Sequence, residues 1–467
     1  MVNFDVKQFE QEGKKDENKG PWFGARHVQI ILLLYCLVVG MATKASFAIQ
    51  IVAMTKEKSN SPNPNIPTYP EWTNTGVILS SFFWTYVISN VVAAPIEKKY
   101  GPKWFLLGAI FINCVAFSLI PLVAELFGAN GVLVCRMLQG MGQGFLFPTQ
   151  QVILGLWAPT EERSRATVAV NAGTTIGVMI STIVPGYLSA SWWGWPFSFY
   201  TIGLFGFLWC LLYLIFGHGS PATHPTITPE ERRYIQRSLN QEEEKDVPVP
   251  FKDMALSYSV WAVLVAQIGI AWSNNMAYTE YPSYLDKVMG FDIQSNGLYS
   301  ALPPATAMIT GFIFGPLSDY LINNHLVTTV NTRRIFHLIG GLGISASIIY
   351  LSYLQPDQKL MSIVLMTAIY VSQSAMVYGN IINMIDISPR FAGIIFGISN
   401  ALGQCIALFA PLLVQFVVVH QNESSEWRIV FETTSVIITG TSIIFVLFAC
   451  GSRQPWDDPK QQSSDQS

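Results

Sequence analysis

Long apolar runs alternate with short polar segments along almost the whole chain. A membrane-spanning helix needs about 20 mostly apolar residues, and twelve runs satisfy this length. They cover residues 28–54, 74–96, 103–124, 130–157, 166–189, 196–217, 258–284, 297–321, 334–354, 360–385, 391–419 and 428–450. The pattern therefore predicts an all-α membrane protein with twelve transmembrane helices, numbered here as spans one to twelve.

A polar stretch of the chain separates the sixth span from the seventh and divides the spans into two sets of six. The predicted domains are a tail (1–27), a first six-helix bundle (28–217), a central loop (218–257), a second six-helix bundle (258–450) and a second tail (451–467). Within the loop, "TITPEERRYIQRSL" places Thr228 as an N-cap, Pro229 at the first helical position and Glu231 as the partner of a capping box. We expect a short amphipathic helix near 229–239.

The distribution of lysine and arginine predicts the orientation of the chain in the membrane. If both ends lie in the cytosol, the inside segments hold 20 of the 27 basic residues and the outside loops hold 5, while Lys44 and Arg136 remain inside spans. Such an excess marks the cytosolic side. The sequon Asn422-Glu423-Ser424 then falls in an outside loop, where it is either a glycosylation site or a chance match.

Composition supports a membrane protein and excludes several functional classes. Charged residues make up 12% of the chain, about half the share in soluble domains. The six cysteines lie in apolar runs without a C-x-x-C pair, so we expect neither disulfides nor a zinc site. The histidines are scattered and H-E-x-x-H and G-x-S-x-G are absent, so no enzyme and no bound cofactor are expected. No basic stripe suggests nucleic acid.

Two similar segments lie about half a chain apart. "AAPIEKKYG" (93–101) and "FGPLSDYLI" (314–322) each end the second span of their half, which is typical of transporters built from parallel repeats. The first segment resembles the turn between spans two and three of the major facilitator superfamily. Lys98 stands where that family has aspartate, and Glu97 is a candidate substitute. The resemblance implies a cytosolic gate, for which the candidates are Lys98, Asp319, Asp386 and Arg390.

Longer signatures resemble one branch of that superfamily. "RMLQGMGQGFLFPTQQVILGLWAPTEERSRA" (136–166), "GFDIQSNGLYSALP" (290–303) and "NMIDISPRFAGIIFGISNALG" (383–403) are similar to the anion transporters that include sialin, the vesicular glutamate transporters and the type I sodium–phosphate cotransporters. The match is closest to the invertebrate inorganic phosphate cotransporters. The resemblance covers nearly the whole chain and implies the two-bundle fold of the superfamily.

Two cations occupy apolar surroundings in the first half. Arg136 lies in span four and Lys44 in span one, both in the outer half of the bilayer. An arginine at the centre of a membrane costs about 2.5–3.5 kcal/mol on insertion scales, so it either faces a cavity or extends to the interface. Two cations at one depth repel each other unless an anion lies between them. The resemblance implies that Arg136 binds the anionic substrate, with Lys44 where the family commonly has arginine.

Two further polar positions concern coupling. Gln143 stands where the family often has glutamate, a candidate proton carrier, and an amide cannot titrate in its place. Gln143 remains a candidate for the substrate site. Glu280 is the one carboxylate well inside a predicted span, and it either serves coupling or pairs near the outer interface.

Glycine pairs at G-x-x-x-G spacing predict close approaches between helices. The pairs are Gly140/Gly144, Gly173/Gly177, Gly311/Gly315 and Gly393/Gly397.

These observations predict a secondary active transporter of small anions, inorganic phosphate or organic, coupled to a co-transported sodium ion or proton. Its partners would be the anion and the lipid bilayer, and it would function as a monomer in the plasma membrane or, alternatively, in a lysosomal or vesicular membrane. Because Gln143 cannot carry a proton, an uncoupled anion uniporter or channel-like protein stays open. A transport-inactive receptor or scaffold is a third reading, since Lys98, Ser46 and Ile270 also depart from the family pattern.

Overall fold

The computed structural model describes residues 21–56, 63, 65–240, 249–420 and 423–457, and within them the chain folds into helices joined by turns. The helices of the first half are Ala25–Met54, Thr75–Tyr100, Pro102–Ser118, Ile120–Gly144, Leu146–Trp157, Thr160–Ala190 and Gly194–Phe216. Ile120–Gly144 contains a break at Gly128, whose φ of 61° and ψ of −152° are not helical. Span three therefore ends before this glycine and span four begins after it, as the apolar pattern predicts.

The second half repeats this arrangement. Its helices are Tyr258–Thr279 and Tyr281–Lys287 (span seven), Ile293–Asn323 (eight), Thr329–Ser352 (nine), Lys359–Ile387 (ten), Ala392–Ala407 and Phe409–Val417 (eleven) and Ser424–Phe448 (twelve). The predicted twelve-span fold is confirmed, although several helices extend a turn beyond the apolar runs. Among the described residues, nine segments are long and apolar enough to cross a membrane, and spans two, three and seven complete the twelve.

The bundles expose large apolar side chains on their outer surface and bury polar as well as apolar side chains inside. Leu204 in span six is 68% exposed and Phe312 in span eight is 70% exposed, as expected for side chains that face lipid. The interior holds polar side chains such as Gln50, whose amide donates to the Ser198 hydroxyl at 2.9 Å. This inversion of the usual polar surface agrees with the low charge content of the chain.

The central-loop helix Pro229–Asn240 is anchored to the first bundle. Thr228 caps it by accepting a hydrogen bond from the Glu231 amide at 3.3 Å, as predicted. The predicted return bond of the capping box is replaced by another contact. The Glu231 carboxylate accepts the backbone N–H groups of Ala25 (2.9 Å) and Arg26 (3.1 Å), so it caps span one instead. The free N–H groups at the start of a long helix attract this carboxylate more strongly than one N–H of its own loop.

Arg26 completes this junction. Its guanidinium, 2% exposed, pairs with Glu162 at 2.8 Å and with Glu231 at 3.1 Å. Glu162 precedes the apolar part of span five. Burial alone raises the pKa of this carboxyl, but the hydrogen bond and charge of Arg26 outweigh burial and lower it. The junction therefore ties the loop helix, span one and the turn before span five together.

The two bundles meet along spans five and eight and along spans two and eleven. We call the face that holds Ala25 and Phe448 the terminal face and the face that holds Met54 and Lys287 the opposite face. Near the opposite face, Gln415 accepts from the Gly76 amide and donates to the Thr73 carbonyl, both at 2.8 Å. The bundles are therefore bonded to each other at the opposite face.

Two further contacts close the opposite face. Lys56, beyond span one, lies 3.8 Å from Asp286 at the end of span seven. Spans five and eight cross so closely that a methyl group on Gly186 would lie 2.7 Å from the Gly297 Cα. At the terminal end of span eleven, by contrast, methyl groups on Gly393 and Gly397 would meet no atom within 4 Å. The described contacts thus show bundles that are closed together at the opposite face.

Candidate functional site

Lys44 lies in span one against a cluster of aromatic rings from span two. Its Nζ is 5.0 Å from the ring centroid of Phe83, 5.4 Å from that of Tyr86 and 5.6 Å from that of Phe82. Part of the lysine side chain remains accessible. The ammonium therefore faces π-electron surfaces, which attract cations without neutralising them.

Arg136 lies between two rings of the same region. Its Cζ is 4.5 Å from the Phe47 centroid and 4.8 Å from the Phe82 centroid. The side chain is 1% exposed, so it is enclosed by the bundle and does not extend to the surface. One guanidinium nitrogen donates to the Oε1 of Gln139 at 2.8 Å.

The two cations thus converge on one ring, that of Phe82. They lie at most about 10 Å apart, which is the sum of their distances to its centroid. The ion pairs found among the described residues include neither cation. Arg136 Nε and Gln139 Nε2 are buried donors without a protein acceptor in the described part of the chain. Since a buried donor left without an acceptor costs free energy, this site is suited to a ligand that brings acceptor oxygens and negative charge.

Glycines on span four explain how the rings come so close to Arg136. A methyl group on Gly140 would collide with the Phe82 carbonyl oxygen, and one on Gly144 with the Tyr86 carbonyl oxygen. The Thr85 hydroxyl also donates to the Met137 carbonyl at 2.6 Å. The predicted close approach at this glycine pair is confirmed, and it fixes span two against span four at the depth of the site.

The other glycine pairs differ in their outcome. Gly173 and Gly177 face the Leu34 and Val38 carbonyls of span one, so this approach is also confirmed. Gly311 and Gly315 face the ring of Tyr378. The approach expected at Gly393 and Gly397 is not seen, because the face of span eleven that carries these two glycines has no described atom within 4 Å of an added methyl group.

Gln143 is engaged within the first bundle. Its Nε2 donates to the Gly40 carbonyl and to the Thr43 hydroxyl, both at 2.7 Å, and to Asn113 Oδ1 at 3.3 Å. The amide therefore links spans one, three and four. The structure does not bring it to Arg136 by any described bond, and its role in substrate binding stays a prediction.

Glu280 lies at the junction between the two helices of span seven. The residue is 2% exposed, and its Oε1 has no hydrogen-bond partner among the described residues. Its backbone continues the helix by donating to the Met276 carbonyl at 2.9 Å. A buried carboxylate without a cationic partner is costly unless it binds a proton or a cation.

A small cavity of about 20 Å³, with room for about one water molecule, lies between the bundles beside this junction. Ala45, the neighbour of Lys44, lines it from span one, and Ser181 and Thr182 line it from span five. The second bundle contributes three tyrosines, Tyr278, Tyr281 and Tyr370. The described lining is uncharged.

The predicted gate residues receive different surroundings. Asp386 pairs with Arg333 at 2.7 Å, and Arg333 also donates to the Ser318 hydroxyl at 2.7 Å. Asp319, next to Ser318, is exposed, and Arg390 lies in the turn after span ten. The side chain of Lys98 and residue Asn422 lie outside what the structure describes. The gate role of Lys98 and the glycosylation of Asn422 therefore stay predictions.

Several contacts escaped the sequence analysis. Phe47, Phe82, Phe83 and Tyr86 look like ordinary apolar residues of a span, and only their position around two cations distinguishes them. Gln139 could have been found, since it lies one helical turn from Arg136.

Comparison with known proteins decides the family. The sequence profile described as Major Facilitator Superfamily matches residues 31–411. The chain belongs to the major facilitator superfamily. Members are built as two repeated bundles around a central site, which agrees with the location of the cations.

Relatives within the superfamily specify the branch. A Drosophila ananassae protein described as "Putative inorganic phosphate cotransporter" is 33% identical over 392 residues, covering 83% of this chain and 81% of the relative. "Vesicular glutamate transporter 3" of Danio rerio is 30% identical over 458 residues, covering 95% of this chain and 76% of the relative. The chain is therefore a membrane transporter of this branch of the superfamily and not an enzyme.

A solved structure supports the fold alone. The bacterial homologue of the human lysosomal transporter Spinster, in an inward-facing and unoccupied conformation, superposes with a TM-score of 0.67 at 13% identity. The superposition covers 92% of this chain and 97% of that protein.

Proposed function

We propose that this superfamily member is a secondary active transporter of small anions, inorganic phosphate or organic, driven by a sodium or proton gradient. The observation that carries the proposal is the convergence of Arg136 and Lys44 on the Phe82 ring without a carboxylate partner among the described residues. An anion between them would neutralise the repulsion and accept from Arg136 Nε and Gln139 Nε2. The names of the relatives, a phosphate cotransporter and a glutamate transporter, support a negatively charged substrate.

The proposed orientation places the terminal face in the cytosol. The conformation then corresponds to an inward-facing state, because the contacts through Gln415 and through Lys56 and Asp286 close the outer side. Residues 28–217 and 258–450 would move as two units, and the outer contacts would break as the site opens outward. Lys98, Asp319, Asp386 and Arg390 would form contacts of the inner gate in that state.

Glu280 is the proposed coupling residue. Its buried oxygen without a described partner is suited to a proton or a sodium ion, and its neighbour Tyr281 lines the cavity between the bundles. Replacement by glutamine keeps its size and removes its charge. We expect Glu280→Gln to abolish the dependence of uptake on the driving gradient while exchange of anion for anion continues. Unchanged gradient dependence would remove Glu280 from the coupling step.

Radiolabelled uptake tests the substrate site. Cells or proteoliposomes carrying wild type are compared with Arg136→Gln for phosphate, urate, glutamate and sialic acid, with and without sodium. An interaction between an anion and one cation at about 5 Å contributes about 3 kcal/mol at an effective dielectric of about 20. Its loss should lower kcat/KM at least about 100-fold.

A matched control removes another arginine that covers an aromatic ring. Arg428 lies 4.2 Å from the Tyr353 centroid, near the outer end of the second bundle. Arg428→Gln should leave uptake within about twofold of wild type, provided that both variants reach the membrane in equal amounts. Full uptake by Arg136→Gln would remove the proposed site.

Gln143 favours a second candidate function, an uncoupled anion uniporter. Its amide occupies a bonded network where a titratable carboxylate is common in the family. Uptake that is insensitive to pH and to sodium, in wild type and in Glu280→Gln alike, would support the uniporter. A receptor or scaffold that has lost transport would show no uptake of any tested anion.

The proposed location is the plasma membrane, with the lysosomal or vesicular membrane as the alternative. Asn422 would then carry sugar on the outer side. A shift in gel mobility after glycosidase treatment, lost in Asn422→Gln, would support this placement. Resistance of wild type to the enzyme would contradict it.

A further inference from the structure

Four aromatic side chains enclose the two cations. We call Phe47, Phe82, Phe83 and Tyr86 the aromatic box. The Lys44 ammonium lies at nearly equal distances, 5.0–5.6 Å, from three of these rings. The Arg136 guanidinium lies at 4.5 and 4.8 Å from two of them. Phe82 is the ring that both cations share.

The box is rigid and lies where the two bundles meet. Phe82, Phe83 and Tyr86 are at most 3% exposed and pack on each other, with Phe82 and Tyr86 stacked at 5.8 Å. Their backbone is fixed against span four by Gly140 and by the bond from Thr85 to Met137. Leu408, at the break in span eleven of the second bundle, packs against them. The rings of span two therefore stay beside Arg136 as long as spans two and four remain packed together.

An aromatic box differs from a carboxylate partner in two respects. Its attraction for a cation increases when water is excluded, and it adds no negative charge that would compete with an incoming anion. A buried carboxylate would neutralise the cations but would also occupy the positions where the substrate must bind. The box therefore stabilises the cations and leaves them available.

Stabilisation of the two cations by the aromatic box matters most when the carrier is empty. Net uptake requires the empty site to pass through a closed state in which water is excluded from both sides. Two cations without an anion are costly in that state. When an anion is bound, it offsets their charge and the rings contribute less. The contribution of the rings therefore matters more for net uptake than for exchange. Net uptake requires the empty carrier to reorient, whereas exchange of one anion for another uses only the loaded carrier.

We propose that the aromatic box acts as the permanent partner of Arg136 and Lys44 during reorientation of the empty carrier, with Phe82 as its principal positioning residue. This inference rests on the proposed anion transport. It makes Phe82 a determinant of the rate of net uptake and not of the binding of the anion.

The experiment compares net uptake with exchange in proteoliposomes. Wild type and Phe82→Leu are loaded either with buffer or with unlabelled phosphate or glutamate, and entry of the same labelled anion is followed. Phe82→Leu keeps an apolar side chain but removes the ring shared by both cations. We expect net uptake to fall at least about tenfold relative to exchange. Phe82→Tyr, which keeps the ring, should restore the wild-type ratio.

Two further variants separate this role from loss of packing. Phe117 is also fully buried in the first bundle and packs on Phe199 at 5.0 Å, with no cation over its ring in the described contacts. Phe117→Leu should change net uptake and exchange in parallel. Phe83→Leu removes the ring nearest to Lys44 and should reproduce the selective loss, which keeps the inference testable if Phe82→Leu does not fold.

The outcomes distinguish this inference from the proposed function. Equal loss of net uptake and exchange in both Phe82→Leu and Phe83→Leu would overturn the role of the box and leave the anion site intact. Uptake that persists in Arg136→Gln would instead overturn the anion site. A selective loss of net uptake that Phe82→Tyr reverses would support the box.

Discussion

Replacement of Lys44 by methionine changes anion binding and protein stability in opposite directions. The ammonium and the Arg136 guanidinium are at most about 10 Å apart, by their distances to the Phe82 centroid. At an effective dielectric of about 20, two such charges repel by at least about 1.7 kcal/mol. An anion about 5 Å from the ammonium gains about 3 kcal/mol from it at the same dielectric.

Lys44→Met removes the repulsion and the cost of holding an ammonium in the bundle. It also loses contacts with three rings, which contribute about 0.5–1 kcal/mol each while the ammonium remains in contact with water. The anion-free protein should therefore be as stable as wild type or more stable. The anion, by contrast, loses about 3 kcal/mol of attraction, so its affinity should fall roughly 100-fold.

Thermal unfolding of the purified protein measures both effects. Without anion, the Tm of Lys44→Met should equal or exceed that of wild type. Saturating phosphate or glutamate should raise the Tm of wild type, because a ligand that binds the folded state stabilises it, and should raise that of Lys44→Met much less. Lys44→Arg keeps the charge and should keep the ligand effect. A variant that is less stable without anion, yet shows the full ligand effect, would refute the reasoning.

Three further predictions concern the outer contacts and the loop helix. Gln415→Ala loses two hydrogen bonds between the bundles, about 2 kcal/mol together, and should raise the apparent affinity for external anion. The control Gln404→Ala loses a bond to Asn275 that stays within the second bundle and should not raise it. Equal behaviour of the two variants would contradict an outer closing contact at Gln415. Asp286→Asn removes the ion pair with Lys56, 3.8 Å away across the bundles, which contributes up to about 1 kcal/mol for a partly exposed pair, and it should speed hydrogen exchange of residues 281–287 at constant pH. An unchanged exchange rate would show that this pair does not hold the outer face closed. Glu231→Ala removes the cap of span one and a partner of Arg26, so it should lower the stability of the first bundle by about 2 kcal/mol, measured as a lower Tm. The control is Glu230→Ala on the exposed face of the same helix, which should leave the Tm unchanged.

Much of the fold could be predicted because a membrane imposes a length and an apolar composition on each helix. The same constraint made Arg136 and Lys44 visible, since a charge inside an apolar run is rare and costly. The close approach at Gly140 and Gly144 was also predictable, because two glycines one helical turn apart leave a groove for a neighbouring backbone.

Other features of the site could not be predicted, since the chain contains 29 phenylalanines and an apolar pattern does not say which of them face lipid. The contact that Glu231 makes with span one could not be predicted from the sequence either. Its spacing from Thr228 predicted a local capping box, but the start of span one lies nearby in space and takes the carboxylate. Arg333 was likewise missed as the partner of Asp386, because the two residues are 53 positions apart.

The sequence by itself determined the number of spans, their repeat and the presence of two cations where water is scarce, because these depend on composition along the chain. Only the tertiary structure decided that both cations meet at one phenyl ring and that the bundles close at the face opposite the chain ends. Those arrangements depend on which helix faces pack together, and packing is chosen by complementary shapes and charges that are distant in the chain.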